Sequence, residues 1–196
     1  MTTSTAASSE VPAELLEQIA ASAIRGAGLA GAYAEADCEL GRRVLALLDA
    51  GSDVYLWGEP GRGKTYAAAC AVRLWALRDV GRRSTASAHL VQVARMLADL
   101  RGDIDAGESW RMPWLESVPL LVLDDLGAER STDWGVEQVS SLVDARTYRG
   151  LRTVVTSNLA LGGLRKSLGG LQGARVASRL SAFERVEVAG TDRRRR

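Results

Sequence analysis

The sequence predicts a single parallel α/β domain. Three observations carry that reading. A glycine-rich run lies between strand and helix signals, a fully apolar run ends in two aspartates, and helix-length segments separate successive apolar runs. Strands alternating with helices imply a parallel sheet whose sites lie at the strand carboxyl ends. At 196 residues, with 46% hydrophobic and 25% charged residues, the chain suits one well-buried domain with a short extension. Its formal net charge of +1 excludes a globally basic nucleic-acid binder, so any such surface must come from local clustering.

Residues 1 to about 11 are rich in Ser, Thr and Ala, lack the basic start and apolar core of a secretion signal, and are expected to be disordered. Pro12 opens a short helix with Leu15, Leu16, Ile19, Ala23 and Ile24 as an apolar stripe, broken by Gly26, Gly28 and Gly31. A second helix is expected from Ala34 to Ala50, with Leu40, Val44, Leu47 and Leu48 on one face and Gly51 as its stop. A strand over 52–57, a helix over 64–80 closed by Gly81, a weaker strand over 85–91 and a helix to Arg101 follow. Residues 102–117 carry Gly, Asp and Pro and read as a loop with a short helix.

Leu120-Leu121-Val122-Leu123 has the continuous apolar character of a strand buried on both faces. Val136, Val139, Leu142 and Val143 give the helical period over Asp133–Arg149. A strand over 153–156, short helices near 161–168 and 173–181, and a last strand over 186–188 complete the pattern. The chain thus divides into a partly disordered, partly helical extension (1–30), a core (31–190) and a basic tail (191–196).

Chemistry concentrates in Gly58-Glu59-Pro60-Gly61-Arg62-Gly63-Lys64-Thr65, which matches the phosphate-binding P-loop. Its glycines let backbone N–H groups turn toward an oxyanion, and the helix that follows adds partial positive charge. Lys64, one of only two lysines in the chain, would reach the β- and γ-phosphates of ATP, and the Thr65 hydroxyl would ligate Mg²⁺. Tyr66 closes this nucleotide-binding run.

Asp124 and Asp125 end the apolar strand, in the form of a Walker B element. Asp124 is assigned to Mg²⁺ and Asp125 to activation of the attacking water, although paired aspartates also start loops and cap helices. Asn158 follows the strand at 153–156. If that strand lies between the P-loop strand and the Asp124 strand, Asn158 faces the γ-phosphate as a sensor of ATP against ADP. An asparagine there also suits a turn. Arg175 and Arg179 share a helical face by their i,i+4 spacing. Exposed helix arginines are ordinarily solvated, but one offered to a neighbouring subunit's γ-phosphate would neutralise developing charge.

Cys38 and Cys70 have no metal-type spacing and read as reduced, small apolar residues. His89 lies in an apolar run and reads as structural. No stretch approaches the length of a membrane span, so no membrane partner is expected and the cytoplasm is the default location.

Gly58–Thr65, the run Leu121-Val122-Leu123-Asp124-Asp125-Leu126-Gly127-Ala128-Glu129, Thr132-Asp133-Trp134, Thr156-Ser157-Asn158-Leu159 and Arg175…Ser178-Arg179-Leu180 come in the order seen in helicase loaders. The chain resembles the DnaC/DnaI-type loaders and the related IstB-type transposition helpers, within the AAA+ ATPases, from about residue 30 to 188. The resemblance implies a three-layer αβα fold with sheet order 5-1-4-3-2. It also implies an ATPase that acts on the replicative DNA helicase and single-stranded DNA and self-assembles with an arginine finger in trans. Arg179 matches the finger, with Arg175 beside it at the nucleotide, while Arg146 resembles a recurrent family arginine of unassigned role.

Two departures stand out. Only about 30 residues precede the similarity where such loaders carry a helicase-binding domain, so the helix at 13–24 becomes a docking hypothesis. Little chain follows the last strand, so the helical lid of many AAA+ proteins is expected to be missing. Candidate DNA contacts are Arg101, Arg111, Arg149, Arg152, Arg165 and Lys166 with the arginines Arg193 to Arg196; only Trp110 and Tyr148 sit beside them as aromatics. Other readings are an IstB-like transposition helper, a non-hydrolysing ATP-dependent scaffold and a small-molecule P-loop kinase.

Overall fold

Five short strands form one parallel sheet in the order β2-β3-β4-β1-β5. They are β1 (Val54–Trp57), β2 (Ala88–Gln92), β3 (Leu120–Asp124), β4 (Arg152–Ser157) and β5 (Glu184–Glu187). Read from the other edge this is the expected 5-1-4-3-2, and it sets β4 between β1 and β3. The computed structural model describes residues 12–78, 80, 88–128 and 132–190. The expected disorder before Pro12, the first residues of the second strand, Gly81, Glu129 and the basic tail lie outside them.

Side chains of successive strand residues point to opposite faces, and the core divides accordingly. Val54, Leu56, Leu120, Val122, Val154 and Val186 pack on one side against α2 (Glu39–Asp49) and α3 (Lys64–Arg78). Tyr55, Leu121, Leu123 and Val155 pack on the other against α4 (Val93–Asp105), α5 (Arg111–Ser117), α6 (Asp133–Tyr148), α7 (Leu161–Leu168) and α8 (Gly170–Leu180). Every residue of β3 is buried, as its unbroken apolar run requires. Burying each such leucine or valine contributes about 1.5–3 kcal/mol before the entropy of ordering is counted.

The alanine-rich start of α3 has a packing reason. Ala67 to Ala71, with Cys70 among them, are buried, and small side chains let the P-loop helix lie close to the sheet and to α2. At Gly41 of α2 even a Cβ would stand 2.4 Å from that of Cys70. Both cysteines are free, and the Cys70 sulfur lies 3.4 Å from the Cys38 amide nitrogen. The first helix, α1 (Ala13–Gly26), rests on α3, and the Ala27 carbonyl after it accepts the Leu90 N–H at 2.9 Å. His89 is structural, as expected: its Nδ1 lies 3.2 Å from the Gly26 carbonyl and its ring packs edge-on against Trp114.

Several boundaries differ from expectation. The second helix begins at Glu39, five residues after Ala34. Cys38 is extended and accepts the Gly41 N–H as the cap, and Asp37 donates its N–H to the Tyr66 hydroxyl. Residues 31–37 hold a single 3-10 turn and wall the site described below. α4 continues to Asp105 because Asp103 in its last turn pairs with Arg111 at 2.7 Å, a contact no local propensity announces. α8 begins at Gly170, three residues before the expected start. β5 runs over 184–187; at this edge Glu184, Arg185 and Glu187 are exposed, so its apolar signal is weak. The Val188 N–H still reaches the Trp57 carbonyl.

Candidate nucleotide site

The carboxyl ends of β1, β3 and β4 meet the start of α3, and the polar side chains there bond to one another. The P-loop, residues 58–65, leaves β1 through Gly58, where φ is +152° and a Cβ would stand 2.6 Å from the Val188 carbonyl oxygen. Only glycine fits there. Lys64, the first residue of α3, is buried and donates from Nζ to the carbonyls of Gly58 (2.8 Å) and Glu59 (3.0 Å) and to Asn158 Oδ1 (2.7 Å). Asn158 in turn donates from Nδ2 to Asp125 Oδ1 at 3.0 Å. A continuous chain of hydrogen bonds therefore links the P-loop lysine, the residue after β4 and the second aspartate.

A second chain runs beside it. Thr65 donates to the Asp124 carboxylate at 2.9 Å, and Thr156 donates to the same oxygen at 2.7 Å. Burial pushes the Asp124 carboxyl above its usual range, and the two hydroxyls oppose that shift. The loop after Asn158 is held by Tyr55, whose buried hydroxyl donates to the Leu159 carbonyl at 2.7 Å.

Pro60, Gly61, Gly63, Lys64, Thr65, Tyr66, Asp125 and Asn158 line a cavity of about 660 Å³. Ala32, Tyr33 and Asp37 complete its wall, with the Tyr33 and Tyr66 rings 6.5 Å apart. That end offers aromatic and carboxylate groups to a flat polar ring, while the P-loop end offers N–H groups and an ammonium to phosphates. Arg62 pairs with Glu59 and faces a separate groove shared with Cys38 and Arg43. Among the described residues no cluster of three or more His, Cys, Asp or Glu could hold a metal by itself. One buried carboxylate beside one hydroxyl is instead the donor set of a hard cation that also binds phosphate oxygens.

Arg175 and Arg179 lie away from this cavity, on exposed positions of α8. Arg179 pairs through Nε with Asp144 of α6, which raises its already high pKa, whereas Arg175 has no hydrogen bond or ion pair among the described residues. Arg146 is fully buried. It donates to the carbonyls of Leu115 (2.7 Å), Val118 (2.8 Å) and Arg152 (2.7 Å) and to the Thr153 hydroxyl, tying α6 to β4 and to the turn before β3. Burial pushes its pKa down to about 10.

The model of the IstB-like ATP-binding protein family matches residues 39–190, which hold the P-loop, both aspartates and Asn158. The chain belongs to the IstB-like ATP-binding family. A putative ATP-binding protein in an insertion sequence of Mycobacterium tuberculosis is 35% identical over 118 residues, 59% of this chain and 44% of that protein. The replicative helicase loader DnaI of Bacillus subtilis is 28% identical over 112 residues, 56% of this chain and 34% of that protein. The match thus spans less than half the length of either relative.

Among solved structures, DnaI superposes with a TM-score of 0.62 at 24% identity, covering 93% of this chain and 94% of that one. The DnaC helicase loader gives 0.63 at 24%, covering 82% and 100%. Aquifex aeolicus DnaA bound to AMPPCP gives 0.60 at 17%, covering 77% and 44%. At these identities the likeness is one of fold, and this IstB-like chain has the AAA+ P-loop ATPase fold.

Of the residues that sequence reasoning singled out, the structure brings together the P-loop except the paired Glu59 and Arg62 side chains, Tyr66, Asp124, Asp125 and Asn158. It keeps Arg175 and Arg179 apart from them. Tyr33, Asp37 and Tyr55 were not foreseen at the site, and Thr156 was seen only as part of a motif. Of the candidate DNA contacts, Arg101 lies over Trp134, Arg111 is held by Asp103, Arg149 by Glu116, and Arg152 by the Gly51 carbonyl. Arg165 and Lys166 are exposed on α7 without a hydrogen bond or ion pair among the described residues. Arg193 to Arg196 lie outside those residues. No helix among the described residues is long and apolar enough to cross a membrane.

Proposed function

We propose that this domain binds and hydrolyses ATP and couples the cycle to placing a replicative helicase on single-stranded DNA. The observation that carries the reading is the hydrogen-bonded chain Lys64–Asn158–Asp125 across the ends of three strands. Each member has a partner it can exchange for a phosphate oxygen or a water without moving its backbone. Lys64 turns its ammonium from Asn158 to the phosphates, Asn158 is released to sense the γ-phosphate, and Asp125 accepts a proton from the attacking water. Thr65 and Asp124 fit as ligands of Mg²⁺, directly or through water, and a metal bound there would supply neutralisation of phosphate charge. Tyr33, Tyr66 and Asp37 fit the base.

Arg179, with Arg175 beside it, serves a neighbouring subunit's site, which explains why neither lines the cavity of its own chain. Hydrolysis is then slow in isolation and rises with protein concentration or on assembly. The helicase reading draws on the DnaI relative and on the extent of the fold shared with loaders. The exposed Leu15 and Leu16 of α1 offer an apolar docking edge to the helicase, and Arg165 and Lys166 offer charge to DNA. A second reading, a transposition helper with a transposase as partner, is favoured by the higher identity to the insertion-sequence protein.

The test is phosphate release over a protein titration, with and without helicase and single-stranded DNA, followed by co-purification. Specific activity should rise with concentration, and the helicase should be retained in ATP. Flat activity in every condition would contradict the trans finger, and retention of the transposase instead would select the second reading.

A further inference from the structure

Thr156 is 1% exposed near the end of β4, and its hydroxyl lies beside both aspartates. Oγ1 gives its single proton to Asp124 Oδ1 at 2.7 Å and accepts the Asp125 N–H at 2.9 Å. The Thr156 carbonyl then accepts the Leu126 N–H, also at 2.9 Å. The peptide units on either side of the Asp125 Cα are therefore both fastened to one residue.

That fastening coincides with backbone strain. Asp125 has φ +61°, and it is the one non-glycine residue with positive φ among those described. Aspartate tolerates the left-handed region better than most residues, yet the conformation persists only where neighbours hold it. Ser157 grips the same turn from the other side, donating to the Leu126 carbonyl, but it bonds to neither carboxylate. Among the described residues Thr156 alone hydrogen-bonds to both the first aspartate's carboxylate and the second aspartate's backbone N–H.

We infer that Thr156 is a positioning residue for hydrolysis, holding Asp125 in its left-handed turn and fixing the Asp124 carboxylate with the same hydroxyl. This rests on the roles proposed above for the two aspartates. With the hydroxyl gone, the Asp125 N–H loses its acceptor and the turn relaxes. The Asp125 carboxylate then moves off the line set by Asn158, while the P-loop that binds nucleotide is untouched.

The experiment compares Thr156→Val, which keeps the shape and removes the hydroxyl, with Thr156→Ser, which keeps the hydroxyl and removes the methyl. Three readouts are taken: affinity for a fluorescent ATP analogue, kcat for phosphate release, and amide hydrogen exchange of a peptide covering 121–128. The valine protein should bind nucleotide within about threefold of the parent while kcat falls at least about tenfold, since small misplacements of a reacting group are costly. Exchange of that peptide, measured without nucleotide, should accelerate. The serine protein should match the parent in all three. Should the valine protein fail to fold, Thr156→Ala takes its place with the same expectations.

Parent-like kcat and exchange in the variant lacking the hydroxyl would overturn the inference. So would a serine protein as impaired as the valine one. Asp125→Asn in the same assay separates the two levels: if it turns over normally, the proposed role of Asp125 fails independently of Thr156.

Discussion

The strand-end site and the arginine face of α8 are built in opposite ways. At the strand ends Lys64, Asp124, Thr156 and Ser157 are buried, and each bonds to another fixed group. On α8, Arg175 and Arg179 are exposed, and the pair between Arg179 and Asp144 lies in solvent with side chains 54% and 42% exposed. Buried, mutually satisfied polar groups hold a geometry before any ligand arrives, whereas an exposed ion pair is weak and easily exchanged. The strand-end group is complete within the chain, whereas the α8 arginines, which we propose act on a neighbour's site, stand exposed.

The largest expected effect breaks the exposed half. Arg179→Ala should lower phosphate release in the assembled state by about 10³–10⁵-fold, the range seen for arginine fingers. It should leave nucleotide affinity and the dilute basal rate unchanged. Mixing it with Lys64→Ala, which has a disabled site but an intact finger, should restore part of the activity in a steady-state phosphate assay. No recovery would mean that the arginine does not act in trans.

Breaking the finished half comes next. Asp125→Asn should reduce turnover by about 10²–10⁴-fold with nucleotide affinity retained, as loss of a general base does. The ratio of kcat to affinity distinguishes this from a binding defect. Arg146→Ala, which touches neither half, should instead destabilise the fold by on the order of 3 kcal/mol, because three carbonyls, two of them buried, and the Thr153 hydroxyl lose their donor. Urea denaturation measures it.

The smallest expected effect is a pH dependence away from both regions. Burial lowers the His89 pKa below its ordinary value of 6.5. Its neutral form is favoured in the fold, so that contribution is fully present above about pH 6.5 and is lost as pH falls through the lowered folded value. His89→Gln should flatten this decline in thermal melts between neutral and mildly acidic pH. Its effect should lie below that of Arg146→Ala.

Much of this arrangement was legible in the sequence. The unbroken apolar run Leu120–Leu123 gave β3, the run Thr153-Val154-Val155-Thr156 gave β4, and the glycines between Trp57 and Lys64 gave the P-loop, because those signals are local. The sheet order came from the family resemblance, since pairing between strands leaves no local mark. The start of α2 was not legible: residues 34–38 look helical, but Asp37 and Tyr66, 29 positions apart, hold them in a turn over the site. Arg146 falls at helical spacing from Val139, Leu142 and Val143, which marks the buried face of α6. Only the fold supplies the distant carbonyls that let an arginine stay there. Thr156 reads as one more β-branched strand residue until β3 is laid beside it.

ATP affinity of the full chain with and without the Lys64→Ala substitution, measured by calorimetry in Mg²⁺, tests the central claim most directly. A loss of at least about tenfold is expected, because the ammonium makes charge-assisted bonds to the phosphates that alanine cannot make. Equal affinity in the two proteins would contradict a nucleotide site at the P-loop.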